Sequence, residues 1–191
     1  MKPKLLIFLF VLLSGVSFGQ AKANTDVQAI KKSFTYFTSS IKNKKTDEAV
    51  NCMYPKFFTI VQKDQMKQIL EMTYNNPFMK VDLLNMQFGT VEKPELINGE
   101  YFSVFNYLFN LKCNVGAMND EMKKKVSSVL ESRYGKKNVK YLDNEGAYLI
   151  NAYMKAGAIS TDRKYWKFVI LEKQYKPELV KILPQKILDK F

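Results

Sequence analysis

The chain has no histidine. That absence removes a Ser-His-Asp triad, a Cys-His pair and any zinc or iron site built on imidazole. Cysteine is nearly as scarce. Cys52 and Cys113 stand alone, too few for a cysteine-rich metal centre, so no metal and no cofactor is expected. Arginine is limited to Arg133 and Arg163, although lysine and arginine together number 30 and the formal net charge is +12. Bidentate reading of phosphates and base edges favours arginine. The lysine excess therefore points to a solvated surface with weak attraction for anions, not to a specific nucleic-acid reader. After the first twenty residues no run is long and apolar enough to cross a membrane, which takes roughly 20 residues as a helix.

What is present begins with a leader. Met1-Lys2-Pro3-Lys4 is a short basic start, and an unbroken apolar run follows from Leu5 to Leu13. This is the length of a signal-peptide core and too short for a span. Ser17 and Gly19 set a cut before Gln20; Ala21 and Ala23 set one before Asn24. Residues 1–23 are thus read as a cleavable signal peptide, and 24–191 as one globular domain that is periplasmic or secreted. Hydrophobic residues make up 47% of the chain, enough for a real core.

Export puts the cysteine pair in an oxidising compartment. Two readings stand open. A Cys52–Cys113 disulfide would close a loop of about 60 residues and contribute roughly 4 kcal/mol; two buried thiols would instead pack as small apolar side chains.

Apolar periodicity orders the rest. Val27, Ile30, Phe34, Phe37 and Ile41 recur at spacings of three and four, the stripe of an amphipathic helix. Thr46 can cap a second helix that Pro55 stops. Lys56–Gln62 is read as a short strand and Lys63–Asn75 as a third helix. Long extended segments then take over at Phe78–Val91 and Tyr101–Val115, with Asn98-Gly99 as a hairpin turn. Asn119-Asp120-Glu121 opens a helix that Gly135 ends. Tyr141-Leu142 is a short extended piece. Ala147–Ile159 and Lys164–Lys173 are further strands, and Pro177 starts a helical tail broken at Pro184.

Helices first and a sheet of long antiparallel strands after them make an α+β plan. In this order the chain resembles the NTF2-like (SnoaL-like) superfamily. The resemblance runs through the helix at 27–43, the second at 46–55, Phe57-Phe58 leading into the Lys63–Asn75 helix, the Asn98-Gly99 hairpin and the late strand Tyr165-Trp166-Lys167-Phe168-Val169. It implies a curved sheet wrapped around N-terminal helices as a cone, with the helix at 117–135 inserted and 177–191 added as a tail. It further implies an open pocket and a possible homodimer through the sheet, using the outer face of 101–111.

Three kinds of chemistry fit the residues. A histidine-free isomerase or dehydratase would need a carboxylate base, for which Asp82 is the candidate, and phenol donors, for which Tyr54, Tyr101 and Tyr107 are candidates. A non-catalytic pocket for a small apolar ligand would draw on Met86, Phe88, Phe102, Val104, Trp166 and Phe168, with Asn106 or Tyr107 for orientation. A charged surface would use the lysines at 42–45, 123–125, 136–140 and 163–167, the later ones interleaved with Tyr134, Tyr141, Tyr165 and Trp166, against acidic polysaccharide or lipid headgroups. The expectation adopted is an exported, non-catalytic domain that binds a ligand or an envelope protein.

Overall fold

The computed structural model describes residues 25–74 and 79–191. The expected signal peptide and its expected cleavage sites lie outside the described residues, as do Asn75, Asn76, Pro77 and Phe78. The architecture is mixed α+β, with helices packed on a six-stranded antiparallel sheet. Among the described residues no helix is long and apolar enough to cross a membrane.

The first helix, α1 (residues 25–42), is followed by α2 (Thr46–Asn51). Lys56–Gln62 is not a strand. Pro55, with its fixed φ, starts a 3₁₀ turn over Pro55–Thr59. α3 (Lys63–Tyr74) then leads into β1 (Lys80–Val91). β2 (Glu95–Ile97) and β3 (Glu100–Asn114) are joined by Asn98-Gly99, at φ 51° and 83°. Positive φ at both central residues is the tight-hairpin geometry that Asn-Gly tolerates. α4 (Asp120–Tyr134) is capped by Asn119, whose side chain accepts the Met122 amide at 2.9 Å. β4 (Val139–Leu142), β5 (Ala147–Ser160) and β6 (Lys167–Ile170) complete the sheet. The tail folds as α5 (Lys176–Leu179) and α6 (Gln185–Leu188) on either side of Pro184.

β3 and β5 are the spine, paired from Tyr101↔Ser160 to Asn114↔Ala147. β1 and β2 share the free side of β3; β4 and β6 share the free side of β5. Register shifts at Leu83/Asn85 and Phe88/Val91 bend β1, as bulges do.

Period-two alternation sorts the side chains onto two faces. The odd-numbered residues of β3 (Phe105, Tyr107, Phe109, Leu111 and Cys113) face α1 and form the main core. Phe34 sits at its centre, 4.8 Å from Phe105, 4.9 Å from Tyr107 and 5.0 Å from Phe168 between ring centroids. β5 makes room for these rings by carrying Ala152, Ala156 and Ala158 on the same face, all fully buried. The even-numbered Phe102 and Val104 lie on the opposite, outer face, under Leu179, Leu183, Ile187 and Leu188 of the tail. Gly157 sits on that face, where a Cβ would meet Val169 at 3.2 Å.

Cys52 and Cys113 are buried free thiols. The register explains why no bond joins them. Cys52 accepts the Phe168 amide through its carbonyl at 2.9 Å, and Phe168 lies level with Ala158 and Ser103. Cys113 is ten residues further along β3, on the order of 30 Å of strand, whereas a disulfide needs Cα atoms within about 7 Å.

Candidate functional site

The site begins with a break in the sheet. β4 pairs with Ala147–Ile150 and β6 with Ala156–Ile159, so among the described residues the β5 segment between them has no partner strand on that side. The Leu171 amide, donating to the Lys155 carbonyl at 2.9 Å, closes one end of the break. An ion pair spans it: Arg133, in the last turn of α4, places Nη2 2.8 and 3.1 Å from the two carboxylate oxygens of Glu172. Gln174 Nε2 donates to Glu172 Oε2 at 2.8 Å, and the Arg133 guanidinium lies 5.4 Å from the Tyr134 ring centroid. A long-range pair of this kind draws on the planar fork of arginine. The chain spends its other arginine in the same way, on the buried carboxylate of Asp26.

A groove of about 1520 Å³ runs along this break. Gln87, Asn106, Leu108, Tyr153 and Lys155 line it from the outer face. Tyr107, Tyr134, Arg133 and Glu172 line its other end. It is wider than the roughly 300–1000 Å³ of an enclosed small-molecule pocket and is open to solvent. Tyr107, at its inner end, is only 2% exposed.

Tyr107 Oη is the one buried side-chain nitrogen or oxygen among the described residues that has no hydrogen-bond partner. Burial pushes its phenol well above the ordinary tyrosine value, and the neighbouring Tyr74, Glu172 and Tyr134 add to the rise. Burial likewise pushes Tyr74 up to about 12 and raises Tyr134. All three phenols are neutral donors at ordinary pH.

The residues expected to act as acid, base and donors do not meet. Asp82 is on the outer face beside Lys112, with its carboxylate 3.1 Å from Lys80 Nζ and accepting from Asn114 Nδ2 at 3.3 Å. Tyr54 donates to Glu100 at 2.9 Å beneath the tail. Tyr101 lies under the Arg163 guanidinium, 5.1 Å from ring centroid to charge. Tyr107 is on the inner face, with the thickness of the sheet between it and Asp82. The expected ligand contacts also divide. Met86, Phe88, Trp166 and Phe168 belong to the inner core, and Trp166 Nε1 donates to the Arg163 carbonyl at 3.2 Å. Phe102 and Val104 are buried under the tail on the opposite face.

Of the residues expected from sequence, the groove takes Phe88, Asn106 and Tyr107. It adds Arg133, Tyr153 and Glu172, which sequence reasoning missed, and Tyr134, which sequence reasoning placed only beside the lysine surface. The scarcity of arginine was the available signal for Arg133; nothing local marks Tyr153 or Glu172. Among the described residues no group of three or more acidic or cysteine side chains is placed to hold a metal ion.

Several residues of the lysine clusters are engaged in local structure. Lys45 pairs with Glu48 at 3.0 Å, Lys125 pairs with Glu121 at 2.7 Å, and Lys167 donates to the Asn51 carbonyl at 2.6 Å. The chain matches no family model, and no curated protein matches its sequence.

Proposed function

We propose that this chain is an exported, non-catalytic binding domain of the cell envelope, built as an NTF2-like cone, that takes a small apolar ligand in the groove beside β5. The observation that carries the reading is the groove itself: Phe88, Leu108, Val129, Tyr134, Tyr153 and Leu171 meet polar and charged groups at one place in the sheet. This combination suits binding, with the polar groups fixing orientation. Catalysis is disfavoured because the one carboxylate weighed as a base, Asp82, and the Tyr107 phenol lie on opposite faces. Glu172, the carboxylate at the groove, is held by Arg133 and Gln174. A sheet-to-sheet homodimer is disfavoured too, since the chain's own tail occupies the apolar half of the outer face.

The test is titration of the full chain with N-phenyl-1-naphthylamine, an uncharged apolar fluorophore. Saturable one-to-one binding, weakened at least about tenfold by a charge placed in the groove with Leu108→Glu, supports the reading. Non-saturable binding, or saturable binding that Leu108→Glu leaves unchanged, moves the site elsewhere and sinks it.

A further inference from the structure

Tyr107 is costly as it stands. A buried hydroxyl without a partner forfeits its bonds to water and gains nothing in return, whereas phenylalanine in its place would carry no such penalty. The ring does not need the oxygen for packing: it meets Phe34, Phe105 and Phe109 in tilted and edge-on contacts at centroid distances of 4.9, 5.9 and 4.8 Å. Three of the hydroxyl's four electrostatic neighbours, Tyr134, Arg133 and Glu172, line the groove that Tyr107 also lines. An orphaned donor at the inner end of a groove is a donor kept for something that enters the groove.

The ligand's chemistry follows from the surroundings. The phenol is neutral, so it offers a proton and not a charge. The inner end sets the tyrosines beside the closed Arg133–Glu172 pair, and a further carboxylate brought there would lose its hydration. Arg133 is already engaged by Glu172, and the Glu172 charge repels a second anion. We infer that Tyr107 Oη is the anchoring donor of the groove, and that its ligand is a small apolar molecule bearing an uncharged acceptor oxygen, a ketone, ester or amide carbonyl. The inference rests on the binding function proposed above and specifies its ligand class.

Two naphthalenes of nearly equal shape test it, each displacing N-phenyl-1-naphthylamine from the full chain: 2-acetylnaphthalene, which has a carbonyl, and 2-isopropenylnaphthalene, which has none. On the wild-type chain the ketone is expected to displace the fluorophore about five- to tenfold more effectively, the worth of one buried hydrogen bond. In Tyr107→Phe the two should become equal. The unliganded variant should also melt about 2–4 °C higher, because an unsatisfied group has been removed.

Equal displacement on the wild-type chain, with the fluorophore still bound, overturns the role of Tyr107 and leaves the groove as a binding site. A ketone advantage that survives in Tyr107→Phe assigns the donor to another group and overturns it as well. A lower melting temperature for Tyr107→Phe means the hydroxyl is satisfied in the free protein by an ordered water, and is structural. Failure of the fluorophore to bind at all removes both this inference and the function beneath it.

Discussion

The two faces of the sheet are built to different standards. On the inner face every large residue of β3 from Phe105 to Cys113 is buried, and Phe34 touches rings from α1, β1, β3 and β6. On the outer face only one end is covered, by four aliphatic residues of the tail; Asn106 is open to solvent and Tyr153 is 71% exposed. Both faces come from the same strands, so the difference lies in what each strand offers at alternate positions. Stability is concentrated where the rings interlock, and the open half of the other face is left free to meet something else. Phe34→Ala is the most direct way to break this contrast. It should cost about 3–5 kcal/mol, the range for a buried aromatic whose cavity cannot collapse, read from urea denaturation with unchanged slope.

The covered end of the outer face should respond less. Leu179 is fully buried against Phe102 and Val104, but it sits in a helix of four residues that can shift to fill a void. Leu179→Ala is expected to cost about 2–3 kcal/mol, at the low end for leucine truncation. A loss as large as that of Phe34→Ala would mean the tail is part of the core and not a cover laid upon it.

Alkaline pH probes the inner face without mutation. Burial pushes the Cys113 thiol up to about 11 from an ordinary 9.0, and the Tyr74 phenol up to about 12 from 10.0. These groups are uncharged when protonated, so the unfolded chain loses its protons first as pH rises. Their contribution to stability is therefore complete below about pH 9 and declines as pH climbs through 11 and then 12. The Cys113 share amounts to roughly 2–3 kcal/mol by pH 11. Denaturant midpoints measured from pH 8 to 11 should fall, and Cys113→Ala should flatten the part of the fall between 9 and 11. An unchanged slope in that variant would place the titrating groups elsewhere.

The inner face was also the part most legible in sequence. The spacing of Ile30, Phe34, Phe37 and Ile41, the Asn98-Gly99 turn and the alternation along Tyr101–Val115 each follow from local chain geometry, and each is where it was expected. The 3₁₀ turn at Pro55 was misread because Phe57, Phe58, Ile60 and Val61 carry apolar content without a period long enough to separate strand from turn. The site was mostly hidden for a different reason. Arg133, Tyr153 and Glu172 come together through the pairing of β4 and β6 with opposite ends of β5, and a break between two partner strands leaves no local signature. Phe102 and Val104 looked like pocket walls because sequence gives the alternation of faces but not which face the tail will cover.

The smallest predicted effect is the one that sharpens the contrast most. Asn110 donates to Asn151 at 2.7 Å on the outer face, and Tyr153 stands beside them with its ring in solvent. If that face contributed to stability as the inner one does, truncating Tyr153 would be costly, as it is for buried aromatics. Exposed as it is, Tyr153→Ala should change stability by no more than about 0.5 kcal/mol. The same substitution removes an aromatic wall of the groove, so it should weaken N-phenyl-1-naphthylamine binding while the melting curve barely moves. Stability and binding would then separate on one residue, as they must if the outer face is kept for a ligand. A Tyr153→Ala protein that melts early and binds normally would show the reverse, that the exposed ring is structural and the groove beside it is incidental.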